Sequence, residues 1–230
     1  MAGVETNYRN IVDRIGEAAA KCGRAASAVK LLGAAKSQNA EAVRAAIAAG
    51  LALVGENYVQ EAQDKKKAVA ERAEWHMIGH LQRNKAKAAV EIFDVIESLD
   101  NIALARELDK EGQRREKVVR VFIEVNLGGE KSKSGIGKSA VAALLEQSAP
   151  LAHLRIEGLM TVPPFGENPE ESRRYFRELA ELKEKFATFG VANADLQELS
   201  MGMTHDYTVA VEEGATIVRI GTALFGPRNG

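Results

Sequence analysis

The sequence predicts an α/β protein, a single-domain (β/α)8 barrel of the TIM type with an extra N-terminal helix, and three observations carry that expectation. Short apolar stretches alternate with segments of helical periodicity, giving about eight strands along the chain. A length of 230 residues suits one such barrel, with no linker or composition shift to divide it. No Gly-x-Gly-x-x-Gly turn follows the first strand, as an open dinucleotide-binding sheet would require. The nearest match, Gly135-Ile136-Gly137-Lys138-Ser139-Ala140, fits only the looser form ending in alanine and begins well after the fifth strand has stopped.

From Glu5 to Lys21, Ile11, Ile15, Ala18 and Ala19 recur at helical spacing, and Gly23 can stop the run. Leu31 to Ala35 is a short apolar strand ending on Lys36. Asn39 can cap a helix with Val43, Ala46 and Ile47 on one face and Gly50 beyond its end. Leu51 to Val54 is the second strand, followed by Gly55-Glu56-Asn57. The polar stretch Tyr58 to Arg72 reads as a helix whose Lys65-Lys66-Lys67 run is a solvated face. Strands Trp75 to Ile78, Phe93 to Glu97 and Val118 to Asn126 then alternate with helices Asn84 to Glu91 and Asn101 to Arg115.

Ser139 can cap the next helix, with Val141, Leu144 and Leu145 on one face and Pro150 beyond it, and Ile156 to Thr161 follows as a strand. Asn168-Pro169-Glu170-Glu171 has the form of a capping box with proline at the first helical position. It opens a helix with Phe176, Leu179, Leu182 and Phe186 inward. A strand Leu196 to Ser200, a helix from Thr204 to Glu213 closed by Gly214, and a strand Thr216 to Ile220 complete the series.

Composition narrows the function. A formal net charge of -1 argues against a general affinity for nucleic acid or acidic membranes. The single cysteine, Cys22, excludes an internal disulfide, and no apolar run is long enough to span a bilayer. The N-terminus lacks the basic-then-apolar pattern of a signal peptide, so a cytoplasmic address is expected.

In a barrel of this kind the active site lies at the C-terminal ends of the strands. The residues expected there are Lys36, Glu56, Asn57, His76, His80, Asn126, Met160, Ser200, and Arg219 with Gly221 and Thr222. A lysine where a strand stops is either a solvated strand end or an amine against a low-dielectric wall, where desolvation leaves more free nucleophile. The loops after strands seven and eight are the recurrent phosphate site of the fold. There Ser200 offers a hydroxyl, Gly202 lets backbone come close, and Gly221-Thr222-Ala223 can open a short helix. His76 and His80 are four apart, but Met77 stands where a zinc protease has glutamate, so no metal site is expected. His153 and His205 read as surface or packing residues. The combination points to Schiff-base formation with a phosphorylated aldehyde or ketone.

Lys36, Gly55-Glu56-Asn57-Tyr58-Val59-Gln60-Glu61, Trp75-His76-Met77-Ile78-Gly79-His80-Leu81-Gln82-Arg83-Asn84-Lys85, Leu199-Ser200-Met201-Gly202-Met203 and Val218 to Gly221 through Phe225-Gly226 together resemble the pyridoxal phosphate homeostasis proteins, the YggS/PROSC family. Gly128 to Gly135 is similar to that family's loop after the fifth strand. The resemblance implies the barrel of alanine racemase's N-terminal domain and binding of pyridoxal 5'-phosphate (PLP) without established enzyme activity. It implies that Lys36 holds the PLP aldehyde as a Schiff base. It further implies that Ser200, Gly221, Thr222 and the Met201 amide hold the phosphate, that Arg219 faces the pyridine nitrogen, and that Asn57 lines the ring. The chain departs from the family with Ala35 before the lysine and Ser37-Gln38-Asn39 after it, and Thr204 replaces the commoner serine.

Storage, buffering or delivery of PLP in intracellular homeostasis is the function so implied, with apo PLP-dependent enzymes as possible recipients and a monomer as the expected state. The competing class is an enzyme: a single-domain PLP racemase or decarboxylase, or an aldolase using Lys36 directly. A racemase needs a second base opposite the lysine, for which Tyr58 or His76 are the candidates.

Overall fold

The computed structural model describes residues 3–130 and 133–227. Eight strands close into a barrel in chain order, neighbours parallel throughout, with β8 pairing back onto β1. They are β1 (Lys30–Ala34), β2 (Leu53–Glu56), β3 (Glu74–Met77), β4 (Val95–Leu99), β5 (Val119–Glu124), β6 (Leu154–Met160), β7 (Ala194–Met203) and β8 (Ile217–Ile220). The surrounding helices are α1 (Val4–Lys21), α2 (Ala40–Ala48), α3 (Val59–Ala68), α4 (Ala86–Ile92), α5 (Ile102–Arg114), α6 (Val141–Ser148), α7 (Arg173–Ala187), α8 (Tyr207–Glu212) and α9 (Thr222–Phe225). The expected barrel and its extra leading helix, α1, are both present. No helix among the described residues is long and apolar enough to cross a membrane.

Most of the expected element boundaries hold to within two or three residues, and the exceptions have local causes. Leu51 belongs to a turn and not to β2: Gly50 takes φ +117° and the Leu51 N–H returns 3.0 Å to the Ala46 carbonyl, closing α2. Asn39 does cap α2, accepting from the Ala42 N–H at 2.8 Å. Ser139 caps nothing; it sits within a 3-10 turn, Lys138–Ala140, that leads into α6. The Asn168 capping box is formed, although its first turn, Pro169–Ser172, is also 3-10 before α7 begins. The lysine run is not simply solvated: Lys65 reaches the Ala35 carbonyl at 2.6 Å and Lys66 the Ile92 carbonyl at 2.6 Å.

Pleating sends alternate strand residues to the barrel axis. An apolar plug of Leu32, Leu53, Val95, Phe122, Met160 and Ile217 fills the interior, while the larger core lies between strands and helices. Phe122 is 1% exposed. Outside, α1 packs on α2, α8 and α9, and Asn7 donates to the Leu224 carbonyl at the end of α9 at 3.0 Å. The leading helix therefore holds the short helix that follows β8.

Candidate functional site at the barrel mouth

Continuing the β1 alternation past Leu32 brings Ala34 and Lys36 into a cavity of about 560 Å³ at the C-terminal ends of the strands. Lys36 lies two residues beyond β1, and its backbone is pinned from both sides. Ser37 turns the chain at φ +61°, the left-handed region that side chains other than glycine seldom occupy. Lys65 of α3 bonds the Ala35 carbonyl and, at 2.6 Å, Glu56 Oε1. The Lys36 ammonium has no hydrogen bond or ion pair among the described residues and stands 5.4 Å from the Tyr58 ring centroid. A cation so placed has no competing partner to displace.

Beside the end of β1, on the neighbouring strand β8, Gly221 lies close to the Ala34 carbonyl and opens α9 with Thr222, and Thr204 from the β7–α8 turn joins the same lining. The Ala223 N–H donates to Thr204 Oγ1 at 3.4 Å, so the two threonine segments are tied together. Asn57 completes one side. Its backbone is packed against Gly79, where a Cβ would come within 2.5 Å of the Asn57 carbonyl oxygen. Ile78 and Val162 supply apolar wall.

Arg219 contributes to the lining from β8 yet is 4% exposed. Its Nη1 donates to Ser200 Oγ at 2.7 Å and its Nη2 to the Thr161 carbonyl at 2.8 Å. Burial pushes its pKa down, and the charges of Glu97, Glu124 and Asp206 oppose that. Ser200 Oγ donates in turn to Glu97 Oε2 at 2.5 Å, and Glu97 Oε1 lies 2.6 Å from His76 Nδ1. Burial alone would lower the His76 pKa; hydrogen bonds and charges from Glu74 and Glu97 outweigh it and raise it to about 9. Glu124, inward on β5, is raised to about 7 by burial and by the Asp100 charge, against the pull of Arg219. Its Oε2 has no hydrogen-bond partner among the described residues.

Of the residues expected to bind, Lys36, Asn57, Arg219, Gly221 and Thr222 line one cavity. Ser200 does not: its hydroxyl is fully buried between Arg219 and Glu97. Met201 is also buried, its side chain in the outer core. Thr204 presents the hydroxyl that Ser200 was expected to offer. Glu56 faces the helix layer, paired with Lys65, and His76 lies beneath the mouth inside the barrel. Met160 belongs to the apolar plug, and Asn126 organises the following loop, donating to the Glu130 carbonyl at 3.0 Å. In that loop, Lys131 and Ser132 lie outside the described residues.

His80 lies 3.4 Å from Asp100 and lines a neighbouring cavity that shares Asn57. No group of three or more His, Cys, Asp or Glu residues among those described could hold a metal. His205 is a surface residue, one of the two readings expected of it, and it also lines the cavity beside Phe165. Sequence reasoning passed over Glu97 and Glu124, although each is a carboxylate set within an apolar strand, a signal comparable to the lysine after β1.

A closed parallel barrel whose mouth brings a lysine, unpaired among the described residues, into one cavity with threonine hydroxyls defines a class of barrel suited to a phosphorylated carbonyl compound. Residues 3–229 match the family model described as alanine racemase, N-terminal domain. The chain belongs to that family and, within it, to the pyridoxal phosphate homeostasis proteins. The protein of that name from Aquifex aeolicus (strain VF5) is 45% identical over 219 residues, 95% of this chain and 95% of that one. Its namesake from Escherichia coli (strain K12) is 36% identical over 234 residues, covering 100% of this chain and 98% of the other. PipY of Synechococcus elongatus PCC7942, solved with PLP bound, superposes with a TM-score of 0.82 at 35% identity, over 94% of this chain and 100% of that chain.

Proposed function

We propose that this protein binds PLP as a Schiff base on Lys36 and serves PLP homeostasis by storing, buffering or delivering it. The observation that carries the reading is one cavity of about 560 Å³ lined both by Lys36, which has no hydrogen bond or ion pair among the described residues, and by Thr204, Gly221 and Thr222. The residues fit the group: an amine for its aldehyde, hydroxyls for its phosphate, and a buried guanidinium at the floor for its ring nitrogen. In this assignment Thr204 takes the role first expected of Ser200, Asn57 lies along the ring, and the backbone around Met201 and Gly202 shapes the turn that carries Thr204.

When bound, PLP supplies an electron sink for amino-acid chemistry. The chain's own residues favour holding over turnover. Arg219 has only donors and cannot accept a ring proton, which favours the unprotonated pyridine, the poorer sink. His76 has both ring nitrogens committed, to Glu97 and Glu74, which leaves it ill-suited as a second base. Recipients would be apo PLP-dependent enzymes, served by a cytoplasmic, monomeric, one-domain carrier. The test is Lys36→Ala. The wild-type protein mixed with PLP and reduced with borohydride is expected to gain one stable adduct on Lys36 by mass spectrometry, and the variant none at stoichiometric level. A full-occupancy adduct on another lysine would overturn the assignment. Turnover of amino acids at about 1 per second or faster would replace the carrier by an enzyme.

A further inference from the structure

A chain of ionisable groups runs through the barrel from the cavity floor to the opposite end. Arg219 donates to Ser200, Ser200 to Glu97, and His76 bridges Glu97 and Glu74, at 2.6 and 3.2 Å. Arg120 then donates from Nη1 to Glu74 at 2.8 Å and from Nε to Glu157 at 2.7 Å. Glu97 is 0% and His76 1% exposed, whereas the Arg120 and Glu74 side chains are about a third exposed, at 38% and 34%. The ladder thus joins a buried guanidinium to the solvent-facing N-terminal ends of the strands.

The direction of each bond is fixed. Arginine has no acceptor, so the Ser200 oxygen accepts and its single proton can go only to Glu97. The two flanking carboxyl groups raise the His76 pKa to about 9, so near neutral pH the ring holds both protons and donates from Nδ1 toward Glu97 and from Nε2 toward Glu74. Charges alternate along the whole chain. No carboxylate among the described residues pairs directly with Arg219. A direct bidentate carboxylate would occupy the guanidinium's donors. The interposed serine hydroxyl instead leaves the counter-charge one bond away and, apart from the Nη2 bond to the Thr161 carbonyl, the remaining N–H groups without a partner among the described residues.

We propose that Ser200 and Glu97 are positioning residues, which hold the Arg219 guanidinium as a fixed, unneutralised donor at the cavity floor and so set the preference for a ligand with a ring nitrogen. This rests on reading the cavity as a PLP site. Ser200→Ala removes the hydroxyl that Arg219 grips. Glu97→Gln is nearly isosteric, but one amide cannot accept from both Ser200 and His76, so the order of donors along the ladder is lost.

The test compares the affinity of the wild type and both variants for PLP and for the analogue in which the ring nitrogen is replaced by C–H, by titration of absorbance and fluorescence. The wild type is expected to prefer PLP by about tenfold or more, the scale of a hydrogen bond to a charged group. Both variants are expected to bring that preference below about threefold, chiefly by losing PLP affinity while the analogue binds nearly as before. In the unliganded protein, nitrogen NMR of His76 near pH 8 is expected to move from imidazolium toward neutral imidazole in Glu97→Gln. If Glu97→Gln does not fold, Ser200→Ala carries the comparison alone. Variants that keep the wild-type preference, with or without an equal loss for both ligands, would overturn the proposal and leave a packing role. A wild type that binds neither ligand would overturn the cofactor reading itself, and the proposal with it.

Discussion

Glu124 is the residue whose environment is least comfortable with its charge, and pH should reveal it. Its carboxyl is raised from 4.5 to about 7, chiefly by burial. Below the unfolded value it is protonated in both folded and unfolded chains and costs nothing. As pH rises from 4.5 through about 7 the unfolded chain ionises first, and above that window the folded chain carries the whole penalty, about 3 kcal/mol. Glu124→Gln is therefore expected to raise the unfolding free energy by up to about 3 kcal/mol near pH 8 and by almost nothing near pH 4. Denaturant melts at the two pH values check it, and a gain of equal size at both would point to packing instead. The cavity's threonines carry a second expectation. Thr204→Ala combined with Thr222→Ala should weaken PLP by about 1.5–3 kcal/mol per hydroxyl and pyridoxal far less, since only PLP has a phosphate. Equal losses in parallel titrations would place the phosphate elsewhere.

At the scale of elements, α3 shows what periodicity can and cannot convey. Its sequence reads as a polar helix, and it is one, but nothing in Lys65-Lys66-Lys67 distinguishes the lysine that turns inward. That choice is made by Glu56, which the register of β2 sends outward into the helix layer at 0% exposure. Burial raises the Glu56 pKa, and the hydrogen bond and charge of Lys65 restrain it. Lys65→Met should cost about 3–5 kcal/mol, because it strands a buried carboxylate beside the backbone that presents Lys36. Adding Glu56→Leu should recover most of the loss. Thermal and denaturant melts of the single and double variants decide it, and a double variant no better than the single would show that the pair does not act as a unit. The capping signals at Asn39 and Asn168 were legible because a cap is local. Ser200 was not, because the depth at which β7 sets it, between Arg219 and Glu97, depends on bulges in its pairing with β6 and β8.

For the whole molecule, the barrel was legible from the alternation of elements, and the mouth followed from where strands end. The interior was not, since which inward residue forms the plug and which joins the ladder is set by closure of the sheet. Phe122 stands where the two meet, its ring 6.3 Å from that of His76. Phe122→Ala should cost about 3–5 kcal/mol and leave one cooperative transition, because a closed sheet has no free half to melt alone. Two separated transitions would contradict that. The rim holds a different lesson. Phe165 is 82% exposed and Tyr58 52%, and Thr204, His205 and Thr222 also face solvent. Among the described residues, nothing has to swing aside for a ligand to leave. If PLP is held on Lys36 as proposed, its dwell time should be governed by scission of that bond, a clock that would quicken with free amines in solution and be indifferent to viscosity.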